Sequence, residues 1–201
     1  GTGKEVVARI VHEVSTRSKH AYVIVNAAAI PRELFESEMF GHEKGAFTGA
    51  SRQKMGYFED AHNGTMFLDE IGDLAPEHQA RMLRVIETGK FNRVGGTREI
   101  AVDVRIVSAT NRNLPSKDDG FRQDLFHRLS GFVITIPPLR NRADDVPELA
   151  NYFLSALQRP AAISKLSISD DAMEKLCSYT WPGNVRELKS CVERAAALAQ
   201  G

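Results

Sequence analysis

Gly1-Thr2-Gly3-Lys4 and Asp69-Glu70 are the residues whose types and spacing could do chemistry together. Small residues at the start of a helix let backbone N–H groups close around phosphate oxygens. The helix N-terminus adds positive potential, and a lysine placed like Lys4 reaches the terminal phosphates. The same tetrapeptide would also serve as an ordinary helix start. It departs from the common phosphate loop twice: the upstream half is absent, and Glu5 stands where most such loops carry a Ser or Thr for Mg²⁺. Met66-Phe67-Leu68 is an apolar strand pattern that ends in Asp69-Glu70. At the carboxyl edge of a parallel sheet, Asp69 can hold Mg²⁺ through water, and Glu70 can orient or deprotonate an attacking water. Alone, the pair could be a solvated strand end; with Lys4 it points to ATP hydrolysis.

Other polar residues fall at matching places. Thr110 and Asn111 end a further strand, where a side chain could sense the γ-phosphate, although a plain strand-to-loop turn uses the same residues. Asn26 ends a strand too and could hydrogen-bond Glu70. Arg122 and Arg128 sit in Phe121-Arg122-Gln123-Asp124-Leu125-Phe126-His127-Arg128-Leu129. An arginine supplied by a neighbouring subunit can stabilise charge on a transferring phosphoryl group. Against this, Asp124 and Arg128 are spaced for an ion pair within one helix. Arg186 falls in the first turn of a helix after Trp181-Pro182-Gly183-Asn184, where the macrodipole disfavours a cation. It is either a ligand for an anion such as a nucleotide or a surface arginine. Gly45-Ala46-Phe47-Thr48-Gly49-Ala50 follows His42-Glu43-Lys44. Its phenylalanine either folds back onto the core or meets a partner.

The elements that must position these residues follow from periodicity. Helical spacing runs over residues 4 to about 18, and over 32–40, 76–88, 146–157, 169–178 and 185–199. Short apolar runs at 22–25, 66–68, 104–107 and 133–136 read as buried parallel strands. Alternating strands and helices predict an α/β three-layer core over residues 1–139, and the strand-free remainder predicts a small all-helical subdomain over 140–201. Ser169 before Asp170-Asp171 reads as a helix cap, and Asn184 with Glu187 as a capping box.

Composition bounds the partners. Lys and Arg together number 26, as do Asp and Glu, so the net charge of +0 argues against binding nucleic acid by bulk electrostatics. No apolar run approaches the ~20 residues of a membrane span, and no signal-peptide pattern opens the chain. Cys177 and Cys191 lack metal-ligand spacing and read as core thiols in a reducing cytoplasm. The chain opens inside a motif, and residues 194–200 still read as helix at its end. It therefore reads as a segment of a longer protein that is expected to bind nucleotide poorly by itself.

These motifs, with Glu38-Met39-Phe40-Gly41-His42-Glu43 and Thr65 to Gly72, resemble the central AAA+ domain of bacterial enhancer-binding proteins. Those are the NtrC-like activators of sigma-54 RNA polymerase, many of them two-component-type regulators. The resemblance runs from residue 1 to the last helix, and the GAFTGA hexapeptide is its most specific part. It implies a P-loop AAA+ core with a helical lid, ATP and Mg²⁺ as ligands, and a ring, usually a hexamer, with ATP held between neighbours. In that frame Gly1, Thr2, Gly3, Lys4 and Glu5 are similar to the Walker A loop, Glu5 being the family's own variant. Asp69 and Glu70 resemble the Walker B pair, and Asn26 the asparagine that couples Glu70 to nucleotide state. Thr110 and Asn111 fall in sensor I, Arg186 falls in sensor II, and Arg122 and Arg128 match paired arginine fingers. Gly45 to Ala50 match the loop that touches sigma-54, with Phe47 and Thr48 in contact. The stretch from Pro115 to Gly120 is slightly shorter than usual before the arginines. Enhancer DNA would be bound only by a domain outside the chain. Two other functions fit the same motifs: an AAA+ ATPase that remodels another protein, and a regulatory scaffold that binds nucleotide without hydrolysing it.

Overall fold

The computed structural model describes residues 1–114, 120–157 and 166–199. Two compact units are present: one is Glu5–Val133, and the other joins Gly1–Lys4 to the described residues from Ile134 onward. The short stretch before the arginines lies, except for Gly120, outside the described residues, as does Gln200.

Among its described residues the first unit holds the strands β1 (Tyr22–Asn26), β2 (Thr65–Asp69), β3 (Lys90–Asn92), β4 (Glu99–Ala101) and β5 (Arg105–Ser108). Strands β1, β2 and β5 form a parallel sheet with β2 in the middle. Thr65, Met66, Phe67 and Leu68 are all buried, as a central strand covered on both faces requires. The helices are α1 (Lys4–Glu13), which belongs to this unit from Glu5 onward, α2 (Arg32–Phe40), α3 (Tyr57–Asp60), α4 (Pro76–Thr88) and α5 (Gln123–Leu129). Helix α4 has Pro76 at its first turn and Gly89 in a left-handed conformation at its end, so proline and glycine punctuate it as their backbone preferences dictate. Phe40, Phe58 and Phe91 pack ring to ring at 5.6–5.9 Å between centroids and join α2, α3 and β3 in one core.

Two expectations are corrected in this unit and its border. Helix α1 stops at Glu13, short of residue 18, because the Ser15 hydroxyl donates to the His12 carbonyl and accepts from the Arg17 amide. Arg17 then turns away to bind Asp103 at 2.8 Å and the Gly64 carbonyl at 3.1 Å. The run 133–136, which reads as a fourth strand, pairs with no strand among the described residues; apolar pattern alone does not supply the hydrogen-bonded neighbour a strand needs. The antiparallel hairpin β3–β4 is the reverse case. Its three-residue strands are too short to show a period in sequence.

The second unit is built on α6 (Val146–Leu157), α7 (Asp170–Ser178) and α8 (Asn184–Leu198). They close over a core that includes Leu139, Val146, Leu154, Trp181, Leu188 and Val192. Ser169 caps α7 by accepting from the Ala172 amide. The capping box expected at Asn184 is shifted by one residue. Glu187 accepts from the Gly183 amide at 2.7 Å, while the Asn184 side-chain oxygen accepts from the Leu139 amide at 2.8 Å. Among the described residues no helix is long and apolar enough to cross a membrane.

Candidate functional site

In the first unit the polar candidates gather at the carboxyl edge of the sheet, where open parallel sheets bind ligands. Asn26 and Asp69 are register partners at the ends of β1 and β2. The Asn26 side-chain oxygen accepts from the Ala28 and Ala29 amides at 3.0 and 3.2 Å and so caps the 3₁₀ turn Ala27–Ala29. Its side-chain NH₂ group remains a donor at the sheet edge. Asp69 accepts from the Glu70 amide through one carboxylate oxygen. Glu70 itself has φ 52° and ψ 42°. A left-handed backbone at a non-glycine residue costs roughly 1–3 kcal/mol and clusters at functional sites.

The turn after Glu70, Ile71–Asp73, is locked to the end of β5. The Ile71 amide donates to the Ala109 carbonyl at 3.0 Å, and Asp73 forms an ion pair with Arg112. A Cβ at Gly72 would lie 2.6 Å from the Thr110 hydroxyl oxygen, so only glycine allows Thr110 this close to the acidic turn. That hydroxyl accepts from the Arg112 amide and keeps its own proton to donate. Asn111 follows in the same loop and is exposed.

Arg122 immediately precedes α5, with its side chain exposed. Its partner is Asp124, through bonds of 3.0 and 2.7 Å to the two carboxylate oxygens. The i,i+4 pair between Asp124 and Arg128 is therefore not formed. Arg128 is exposed and has no ion pair among the described residues. The paired Arg122 guanidinium, helped by the Leu125 amide, holds the Asp124 carboxyl down at about 2. Because that pKa is depressed, the pair is whole above the ordinary carboxylate range and is lost as pH falls through about 2. Carbon-13 NMR of Arg122→Ala should find the Asp124 pKa returning toward 3.8, the ordinary value. An unchanged pKa would show that Arg122 is not its cause.

The GAFTGA hexapeptide tops a stem anchored on both sides. His42 bridges antiparallel to Lys54 and parallel to Val94, in the loop between β3 and β4. Arg93 of that loop binds Glu59 on α3 at 2.6 Å and Glu43 at the stem at 3.0 Å. Within the loop, the Gly45 amide donates to the Ala50 carbonyl at 2.8 Å, and Ala50 is buried. Gly45, Thr48 and Gly49 are exposed, and Ala46 is partly buried against Gly95. Phe47 stands edge-on to the His42 ring at 5.0 Å, and His42 is fixed in turn by the Ser37 hydroxyl at 2.7 Å. Phe47 nevertheless remains 42% exposed, so it leans on the stem without entering the core.

The second unit brings the remaining candidates together. Gly1 lies against the Gly183 carbonyl and the Arg186 Cβ, and Arg142 donates to the Thr2 carbonyl at 2.7 Å. Trp181 and Asn184, at φ 48° and 54°, bend the turn that sets Arg186 in the first turn of α8, with its side chain exposed. Gly3 and Lys4 lead into α1, and Glu5, the first residue of the other unit, is exposed in its first turn.

Three residues that matter to this geometry carry no motif: Arg93, Glu59 and Gln79. Gln79 had a signal. It lies three and four positions before Met82 and Leu83, on the apolar face of α4, where a polar side chain must be hydrogen-bonded.

Residues 1–135 match the family model of the sigma-54 interaction domain, and residues 140–201 that of an AAA+ ATPase lid domain. The Nif-specific regulatory protein of Azotobacter vinelandii is 50% identical over 202 residues, covering 100% of this chain and 38% of the relative. The DNA-binding transcriptional regulator NtrC of Azospirillum brasilense is 52% identical over 200 residues, covering 98% of this chain and 41% of the relative. The chain thus spans about two fifths of the length of these curated relatives. Brucella abortus NtrX in complex with ATP superposes with a TM-score of 0.90 at 42% identity, over 100% of this chain and 46% of that one. Hsp104 with ATPγS and FITC casein, at 15% identity and a TM-score of 0.67 over 96% of this chain and 38% of its own, shares the fold.

Proposed function

Since the chain belongs to the sigma-54 interaction domain family, with an AAA+ lid domain after it, we propose that it hydrolyses ATP to remodel sigma-54 RNA polymerase and so activates transcription. The observation that carries this reading is the pairing of two features in one unit. Asn26, Asp69, Glu70 and Thr110 share one sheet edge, and a tethered loop presents Phe47 and Thr48 to solvent. The Nif-specific relatives and NtrC are named as regulators, and a neighbour of the same fold is named as an ATP complex, which supports the reading. The matched spans support a nucleotide-binding core over residues 1–139 and a lid over 140–201.

In the proposed site Gly1, Thr2, Gly3 and Lys4 cradle the phosphates, with Glu5 at the helix start. Arg186 reaches the nucleotide from the lid, and Glu70 orients or deprotonates the attacking water. No cluster of three or more metal-binding side chains occurs among the described residues. A single carboxylate fits Mg²⁺, which keeps most of its waters and takes its other ligands from phosphates. Asp69 would hold it, and the ion would neutralise charge developing on the phosphates. Thr110 and Asn111 read the γ-phosphate side of the site.

Coupling to the loop follows from chain order. Asn26 caps the turn Ala27–Ala29, which leads directly into α2 and then the GAFTGA stem. If the Asn26 NH₂ group bonds Glu70 in only one nucleotide state, that difference biases the position of α2 and of Phe47. In a ring, hexameric by our reading, Arg122 and Arg128 would act on the nucleotide of a neighbouring copy. We place the protein in the cytoplasm, with enhancer DNA bound by a domain outside this chain.

The test is capture of sigma-54 by the full-length protein with an ATP transition-state mimic. Retention should require the mimic and be lost on Lys4→Ala. Capture without nucleotide, or none with the mimic, would overturn the proposal.

A further inference from the structure

Gln79 lies in α4 and is only 1% exposed, yet it is among the few polar side chains in the core. A buried carboxamide is costly unless its groups are paired, and this one is paired on three sides. Its NH₂ group donates to the Leu74 carbonyl at 2.9 Å and to the Gly120 carbonyl at 3.2 Å. Its oxygen accepts from the Arg122 amide at 2.7 Å. Leu74 closes the turn Ile71–Asp73 that follows Glu70. Gly120 and Arg122 are the last backbone before α5, so one side chain joins the acidic turn to the residue that carries the outward arginine.

The local packing makes that joint specific. Phe121 and Leu125 are buried on either side of Arg122 and fix the depth of the segment. The directional bonds of Gln79 to the Gly120 carbonyl and the Arg122 amide add an orientation that apolar contact does not supply. Gly120, at φ +66°, turns its carbonyl within reach of Gln79. Arg122 precedes the first turn of α5, so its amide has no partner within that helix and takes the Gln79 oxygen instead. Arg128, in the last turn of α5, has no such tie among the described residues.

We propose that Gln79 is a positioning residue for Arg122: it fixes the backbone that delivers this guanidinium to a phosphoryl group held by a second copy of this chain. It also transmits to that arginine any movement of the turn behind Glu70 in its own subunit. One nucleotide site would thereby be linked to the next through a single buried carboxamide. The inference rests on the trans role proposed for Arg122.

The test uses the full-length protein and steady-state ATPase of Gln79→Met, Arg122→Ala and the double variant. Methionine nearly matches glutamine in volume and removes all three bonds. Misplacing a group that must meet the transition state costs up to about 10²-fold, so Gln79→Met should lower kcat by about 10- to 100-fold with little change in KM. In the Arg122→Ala background it should cost nothing further. Mixing Gln79→Met with Lys4→Ala should restore turnover, because Lys4→Ala subunits bring a correctly held Arg122 to intact sites; a merely unstable subunit would not be rescued.

Wild-type turnover by Gln79→Met, losses that multiply in the double variant, or no rescue on mixing would each overturn the inference. If Arg122→Ala itself keeps full turnover, the trans role falls and this inference with it. If Arg122→Ala is inactive and Gln79→Met is normal, only this inference falls. Hydrogen exchange of the wild-type protein needs no variant to fold: the Arg122 amide should be protected, and exchange at an open-chain rate overturns the proposal.

Discussion

Glu70→Ala is expected to abolish ATP turnover, by about 10²–10⁴-fold, while nucleotide binding changes little. The expectation rests on where the carboxylate sits. It follows the central strand, at a left-handed residue held by the turn Ile71–Asp73, which is itself bonded to the end of β5. The roughly 1–3 kcal/mol that such a backbone costs is offset by the bonds of the turn after it, which alanine keeps, so the fold should stay intact. In the proposed site Lys4 and the loop amides would supply the binding energy for the phosphates. Turnover by the full-length protein and affinity for a labelled nucleotide should therefore separate cleanly. Unchanged turnover would remove Glu70 from the mechanism, and a parallel loss of binding would make it a nucleotide-holding residue. Glu70→Gln, with a side chain that cannot take up the proton, should behave like alanine.

Most of the fold was legible because its central elements are strongly periodic. Strand β2 is apolar on both faces, as a middle strand must be, and α4 shows its core face, its opening proline and its closing glycine in sequence. What stayed hidden depended on neighbours distant in the chain. No local pattern says that the run 133–136 lacks a paired strand here, or that Ser15 ends α1. The site divides the same way. Types and spacing picked out Asp69, Glu70 and Asn26, because residues at strand ends in a parallel sheet must share one edge. The choice of Asp124 for Arg122 over Arg128 needed the chain to leave the helix just before Gln123, so that Arg122 folds across the first turn. Gln79, Arg93 and Glu59 escaped because each acts through partners at least 34 residues away or through backbone atoms.

The Arg93 connections show why the loop can be both held and responsive. Its side chain is only 15% exposed and binds Glu59 of α3 and Glu43 of the stem at once. The hydrogen bond to Glu59 raises its pKa above the ordinary value, so the charge is permanent. The Arg93–Glu59 pair is largely withdrawn from water, so breaking it would leave a poorly solvated charge, which favours a few discrete arrangements over gradual bending. Movement begun at α2 would thus reach the loop as a change of arrangement.

Phe47→Ala should therefore separate work from fuel: sigma-54 capture and transcription activation lost, ATP turnover kept. An aromatic side chain at the centre of an interface is commonly worth at least ~2 kcal/mol, which corresponds to roughly 30-fold in affinity. The competing possibility is that Phe47 belongs to the core, in which case its removal would loosen the stem and depress both activities together. Its ring touches His42 from the side and nearly half its surface stays in solvent. His42 keeps its Ser37 bond and both backbone bridges without the ring, so the stem has what it needs. Turnover and thermal stability of Phe47→Ala should accordingly stay near wild type while capture with the transition-state mimic fails. Capture at wild-type affinity would mean that the loop tip meets some other protein. A joint loss of turnover, stability and capture would return Phe47 to the core.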